Sequence, residues 1–136
     1  MKDFPDYARK TAGTLLDRVA FQVHRVARMP KPDSIHDLRV TIRRFTQSLR
    51  IFRDFFPRPE AKRVRAQLSE LMDMAGEVRN RDIALELLAK AGANGNSRFV
   101  SALQSDRDAA ARRLSRAVRR WHRRDFSQKW RNRLEL

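Results

Sequence analysis

The chain has 136 residues, 35% of them charged, with 31 Lys and Arg against 16 Asp and Glu and a formal net charge of +15. It contains no cysteine, which excludes disulfide frameworks, thiolate metal sites and cysteine nucleophiles. No apolar run approaches the roughly 18 residues of a membrane span, and the opening MKDFPDYARK has no apolar stretch behind its charges; a soluble, cytoplasmic protein with no membrane contact is expected.

The length suits one domain, residues 1–136, around one core. From Asp6 to Arg28, residues Ala12, Leu15, Leu16, Val19, Val23 and Val26 share a helical face, and Pro30 and Pro32 stop the helix. The next segment reads DSIHDLRVTIRRFTQSLRIF. Ser34 is its expected N-cap, with Asp37 standing where a capping box has Glu, so His36 is placed in the first turn, where backbone N–H groups favour an anion. Leu38, Ile42, Phe45, Leu49 and Phe52 form its apolar face.

Pro57 and Pro59 mark the following break, after which Val64, Leu68, Leu71, Ala75 and Val78 keep helical period. Gly76 falls inside that pattern as a kink or close-packing point. Ile83, Leu87 and Leu88 carry the period to Ala91, although Asn80 is equally placed to cap a fresh helix. Gly92 to Ser97 is the clearest loop, with Ser97 capping a long helix to about Arg124 whose buried stripe is expected to be Phe99, Leu103, Ala110, Leu114, Val118 and Trp121. Asp125 then caps a short terminal helix carrying Phe126 and Trp130. No segment shows strand alternation, so the expected fold is all-α, an antiparallel up-and-down bundle of four to five helices.

Charge narrows the function. A pI near 11.6 points to a polyanionic partner, and only six of the basic residues are Lys, which leaves 25 Arg. The planar, always-charged guanidinium binds phosphate oxygens bidentately, although codon bias in a GC-rich genome would also raise the Arg share. His36, Arg39, Arg43 and Arg50 fall within an arc of about 60° on the second helix, with Arg44 beside them. An idle surface helix would carry compensating acids four residues away, and this one has none between Asp37 and Asp54. Arg112, Arg116, Arg119 and Arg123 form a second stripe opposite the apolar face of the long helix, as well suited to a solvated exterior as to a groove wall. The histidines His24, His36 and His122 are far apart in sequence and have no ligand-spaced partner, so no metal site is expected. No nucleophile–base pair, glycine-rich phosphate loop or acidic cluster emerges, so neither a catalytic residue nor a cofactor is expected and the chain reads as a non-enzyme.

HDLRVTIRRFTQSLRIF resembles the signature helix of the CHAD family, the conserved histidine α-helical domain, and AGEVRNRDIALELL resembles its second motif. The likeness is strong over Asp33 to Leu88 and rests on pattern alone in the flanking helices. It implies a helical domain of two similar four-helix halves that binds inorganic polyphosphate through a basic channel without turning it over. His36, Arg39, Arg43 and Arg44 match the first motif and Arg79 the second; Arg81 belongs to the same segment. Thr46 replaces a usual basic residue and Asn80 a usual Asp, which leaves Asp82 to orient Arg79 or Arg81. An ion-pair network within that helix is the alternative reading of the second motif. The chain has room for one half of the pattern. A homodimer joined through Phe126 and Trp130 would rebuild the channel, the alternative being a monomer with a shallower groove. Polyphosphate is therefore the expected partner, with nucleic acid as a competitor and association with polyphosphate granules an accompanying expectation; the alternative reading is a nucleic-acid-binding basic helical protein, and a third is a polyphosphate-metabolising enzyme, which would need a metal-binding acid cluster the sequence does not show.

Overall fold

The computed structural model describes residues 3–95 and 97–136. Five α-helices follow in order: α1 Phe4–Arg28, α2 Pro32–Ile51, α3 Arg58–Lys90, α4 Arg98–Arg123 and α5 Phe126–Arg133, with a short 3-10 turn at Arg53–Phe55. Among the described residues there is no strand. Helix α1 packs on α2, α2 on α3, α3 on α4 and α4 on α1, so α2 and α4 occupy diagonal corners of an antiparallel bundle. The apolar faces read from the sequence of α1 to α3 meet in the centre. Leu16, Val19, Val23, Leu38, Ile42, Phe45, Leu49, Val64, Leu68 and Leu71 are all buried there, joined from α4 by Leu114 and Val118.

Helix α2 begins two residues earlier than its expected cap. Pro32 occupies the first turn, where its missing N–H costs nothing, and Ser34 is the third helical residue. The Ser34 hydroxyl accepts from the Lys31 N–H at 3.0 Å and contacts the carbonyls of Met29 and Lys31. It thus pins the chain reversal from inside the helix rather than from its mouth. His36 lies one turn further in than the cap at Ser34 implied, beyond the free backbone N–H groups, and the dipole argument for it falls away. At the start of α4, by contrast, Ser97 caps as expected, accepting from Phe99 N–H at 3.2 Å. Asp125 precedes α5 in a left-handed conformation with φ 49° and makes no side-chain cap bond.

Helix α3 runs unbroken through Gly76 and Asn80. At 1.5 Å per residue its 33 residues extend about 50 Å, against about 30 Å for the 20 of α2. Its last turns and the first turns of α4 therefore project past the other two helices. Phe99, expected in the buried stripe, is 67% exposed, Leu103 is half-buried, and Leu87 is 62% exposed, because nothing from α1 or α2 reaches that level.

Where the projection starts, Asp82 of α3 is buried and accepts from Arg107 Nε of α4 at 2.8 Å, while Arg107 Nη2 donates to the Pro30 carbonyl at 3.3 Å. Three segments are joined there. Asp82 therefore orients neither Arg79 nor Arg81, contrary to the reading from sequence: in this helix it points along the core face, toward α4.

Helix α5 folds back on the open end of the bundle. Trp130 is 3% exposed and stacks near Phe45 with ring centres 6.4 Å apart, and Trp121, Phe126 and Trp130 meet one another at 5.1 Å. Arg131 ties the helix to α1 by donating to Asp17 and to the Gly13 carbonyl. Phe126 and Trp130 thus complete the core of their own chain and are not available as the dimer contacts expected of them, since burying an aromatic pair inside satisfies the same apolar area that a partner would cover.

Candidate functional site

The flank of α2 that faces α3 carries Arg39, Arg43 and Arg50. Arg39 is half-buried and its guanidinium lies over Gly76 of α3, with Nη2 4.0 Å from where a Cβ would stand. The two helices run antiparallel with equal rise, so this contact sets the register: His36 lies level with Arg79, Arg43 with Met72, and Arg50 with Arg65. Arg43 and Arg50 on one helix and Arg65, Met72 and Arg79 on the other each repeat every seven residues, about two turns, which keeps each row on one flank.

No carboxylate answers these charges. Among the described residues Arg39, Arg43, Arg50, Arg65 and Arg79 form no ion pair. Arg39 Nε is buried and has no hydrogen-bond partner. Burial first, then the neighbouring charges of Arg43 and Arg79, holds its guanidinium below the usual arginine range. A guanidinium does not give up its proton under ordinary conditions, so the shift expresses unrelieved repulsion and lost hydration. An anion seated between α2 and α3 would relieve both at once. The seam continues toward the other end of the bundle as a hollow lined by Arg53, Arg58, Lys62 and Arg65, with Asp54 as its one acid.

The remaining expected site residues fall elsewhere. Arg44 faces α1 and lines a hollow there with Arg18, Phe21 and Gln22. His36, exposed at the crest of α2, borders that same hollow, in which Asp17 and Asp37 mix acids with the bases and Arg25 holds Asp37 at 2.6 Å. Arg81 turns away from the seam and donates to the Glu77 carbonyl at 3.0 Å. Arg112, Arg116, Arg119 and Arg123 are all exposed on α4, diagonally opposite α2, so they do not join the seam. Among the described residues no three His, Asp or Glu side chains converge in a metal-binding group.

Two features escaped the sequence reading. Arg65 lacked a motif, although its fourteen-residue spacing from Arg79 was a usable signal. His24 and His122 stand with ring centres 4.8 Å apart across α1 and α4, and no spacing rule reaches across 98 residues.

A model of the CHAD domain matches residues 11–136, which takes in α2 to α5 and all but the first seven residues of α1. No curated protein and no solved structure matches the chain. No described helix is long and apolar enough to cross a membrane. With the match running through nearly the whole sequence and both motif helices side by side in the bundle, this chain belongs to the CHAD domain family.

Proposed function

We propose that the protein binds inorganic polyphosphate, or a polyanion of the same repeating charge, along the α2–α3 seam and without catalysis. The observation that carries this reading is the half-buried Arg39 between Arg43 and Arg79, its Nε without a hydrogen-bond partner and none of the three arginines ion-paired among the described residues. Such an array is unstable by itself and gains charge-assisted hydrogen bonds when phosphate oxygens enter it. Thr46 and Met72 stand between its arginines, and among the described residues the seam carries no Trp, Tyr or Phe on which a base could stack, its one ring being the His36 imidazole at the crest, which favours a bare phosphate chain over nucleic acid. Arg39, Arg43 and Arg79 are the principal contacts, Arg50 and Arg65 extend the track, and His36 donates from the crest. Arg44, Arg81 and the α4 stripe contribute only to the general field.

The test is competition at physiological salt, where diffuse attraction is weak. Labelled polyphosphate should resist displacement by RNA or DNA of matched charge, and an Arg39→Ala/Arg79→Ala variant should bind it poorly. Equal displacement by nucleic acid would overturn the preference. Phosphate released from polyphosphate by the pure protein would overturn the non-catalytic role.

A further inference from the structure

On the other flank of α3 from the seam, between α3, the end of α4 and α5, lies a cavity of about 290 Å³ with a different chemistry. Arg120, Arg124, Lys129 and Arg133 stand around it, all exposed and none ion-paired among the described residues. Its floor is the aromatic group of Trp121, Phe126 and Trp130, of which Trp121 keeps part of its ring accessible. Gln67 and Glu70 of α3 close the remaining wall.

Four cations call for a multiply charged anion, but two elements of this cavity are wasted on a bare phosphate chain. Apart from a single Nε1–H, an indole ring offers nothing to phosphate oxygens, and the Glu70 carboxylate repels them. Both suit a ligand that joins phosphate to a flat heteroaromatic ring bearing N–H or O–H donors: the ring contacts Trp121, Glu70 and Gln67 accept from its donors, and the phosphates reach the cations. The volume lies just under the range of ligand clefts, roughly 300–1,000 Å³, which leaves room for no more than a single nucleotide and none for an oligomer. From these complementary demands we infer that the α3–α4–α5 cavity is a second site, for a nucleoside phosphate.

The protein's two tryptophans both line this cavity, so their emission reports on it directly. ATP added to the full chain at physiological salt should change tryptophan emission saturably, with inorganic triphosphate weaker by roughly tenfold or more, the scale of one lost stacking or charge-assisted contact. Arg124→Ala/Lys129→Ala, two exposed positions whose loss leaves the core intact, should weaken ATP by about tenfold. Glu70→Gln should weaken ATP without weakening triphosphate, a split that simple charge attraction does not produce. Circular dichroism on each variant separates lost binding from lost helix. The inference is overturned if ATP gives no saturable change, if triphosphate matches ATP in midpoint and amplitude, or if Arg39→Ala/Arg79→Ala in the α2–α3 seam abolishes the signal.

Discussion

The α2–α3 seam and the α3–α4 junction each draw an arginine partly into the bundle, and they treat it in opposite ways. At the junction Arg107 finds the Asp82 carboxylate at 2.8 Å and the Pro30 carbonyl at 3.3 Å, so its charge is answered from two other segments, although the second Asp82 oxygen, Oδ2, is itself buried without a hydrogen-bond partner. In the seam Arg39 finds only Arg43, Arg79 and a buried Nε without a partner. A buried guanidinium that the chain itself satisfies is a fastening. One that the chain leaves unsatisfied keeps its hydrogen-bonding capacity for something that arrives from outside.

If that contrast holds, the largest effect on stability should come from Arg107→Ala. It leaves the Asp82 carboxylate buried and alone, and we predict a loss of about 3–5 kcal/mol in denaturant unfolding. Replacing both partners, Arg107→Met with Asp82→Leu, should recover most of that loss; no recovery would mean the junction depends on more than the pair.

Arg39→Ala tests the other side. It should leave stability unchanged or slightly raised, because repulsion goes with the side chain, while polyphosphate affinity falls by about 1–3 kcal/mol, roughly 5- to 150-fold. A variant that loses stability as Arg107→Ala does would place Arg39 among the fastenings and erase the distinction.

Gly76→Glu sharpens the comparison by giving Arg39 the partner it lacks, from the position its guanidinium already covers. The chain should gain about 1 kcal/mol, from helix propensity and the new ion pair, and should bind polyphosphate more weakly because the anion's place is taken. Stronger binding would contradict the seam as the site.

The smallest effects belong to the α4 stripe. Arg112→Ala and Arg116→Ala should each shift stability by less than about 0.5 kcal/mol. Their influence on affinity should fade at physiological salt, where the screening length is about 8 Å. Loss comparable to Arg39→Ala would show that the anion wraps the bundle.

Periodicity made most of this architecture legible. Period alone marks the apolar rows of α1 and α2 and that of α3 as far as Val78, with Leu15 and Phe52 only half-buried, and helical geometry alone gives the arc of Arg39, Arg43 and Arg50. What periodicity could not supply was the neighbour. Asp82 appeared to belong with Arg79 and Arg81 because they share a helix, yet it pairs across 25 residues with Arg107. Phe99 and Leu103 carried the right period for burial but lie at a level the shorter helices do not reach. Trp130 and Phe126 looked surplus to a four-helix core, and only the folded-back α5 shows where they fit. In each case a side chain's face was fixed locally, whereas its partner depended on how far the other helices extend.

The projecting tip of the α3–α4 hairpin has a consequence for motion as well as for burial. Between Asp82 and Ala110 no described residue is fully buried, so the backbone hydrogen bonds there are held by helix formation with little tertiary support. The Asp82–Arg107 clasp sits where that segment meets the packed bundle, and we predict that it marks the boundary between two cooperative units. Amide protons beyond it should exchange with solvent through local openings, on a schedule largely independent of global unfolding, while those of Leu68, Leu71 and Leu114 should exchange only when the whole bundle opens.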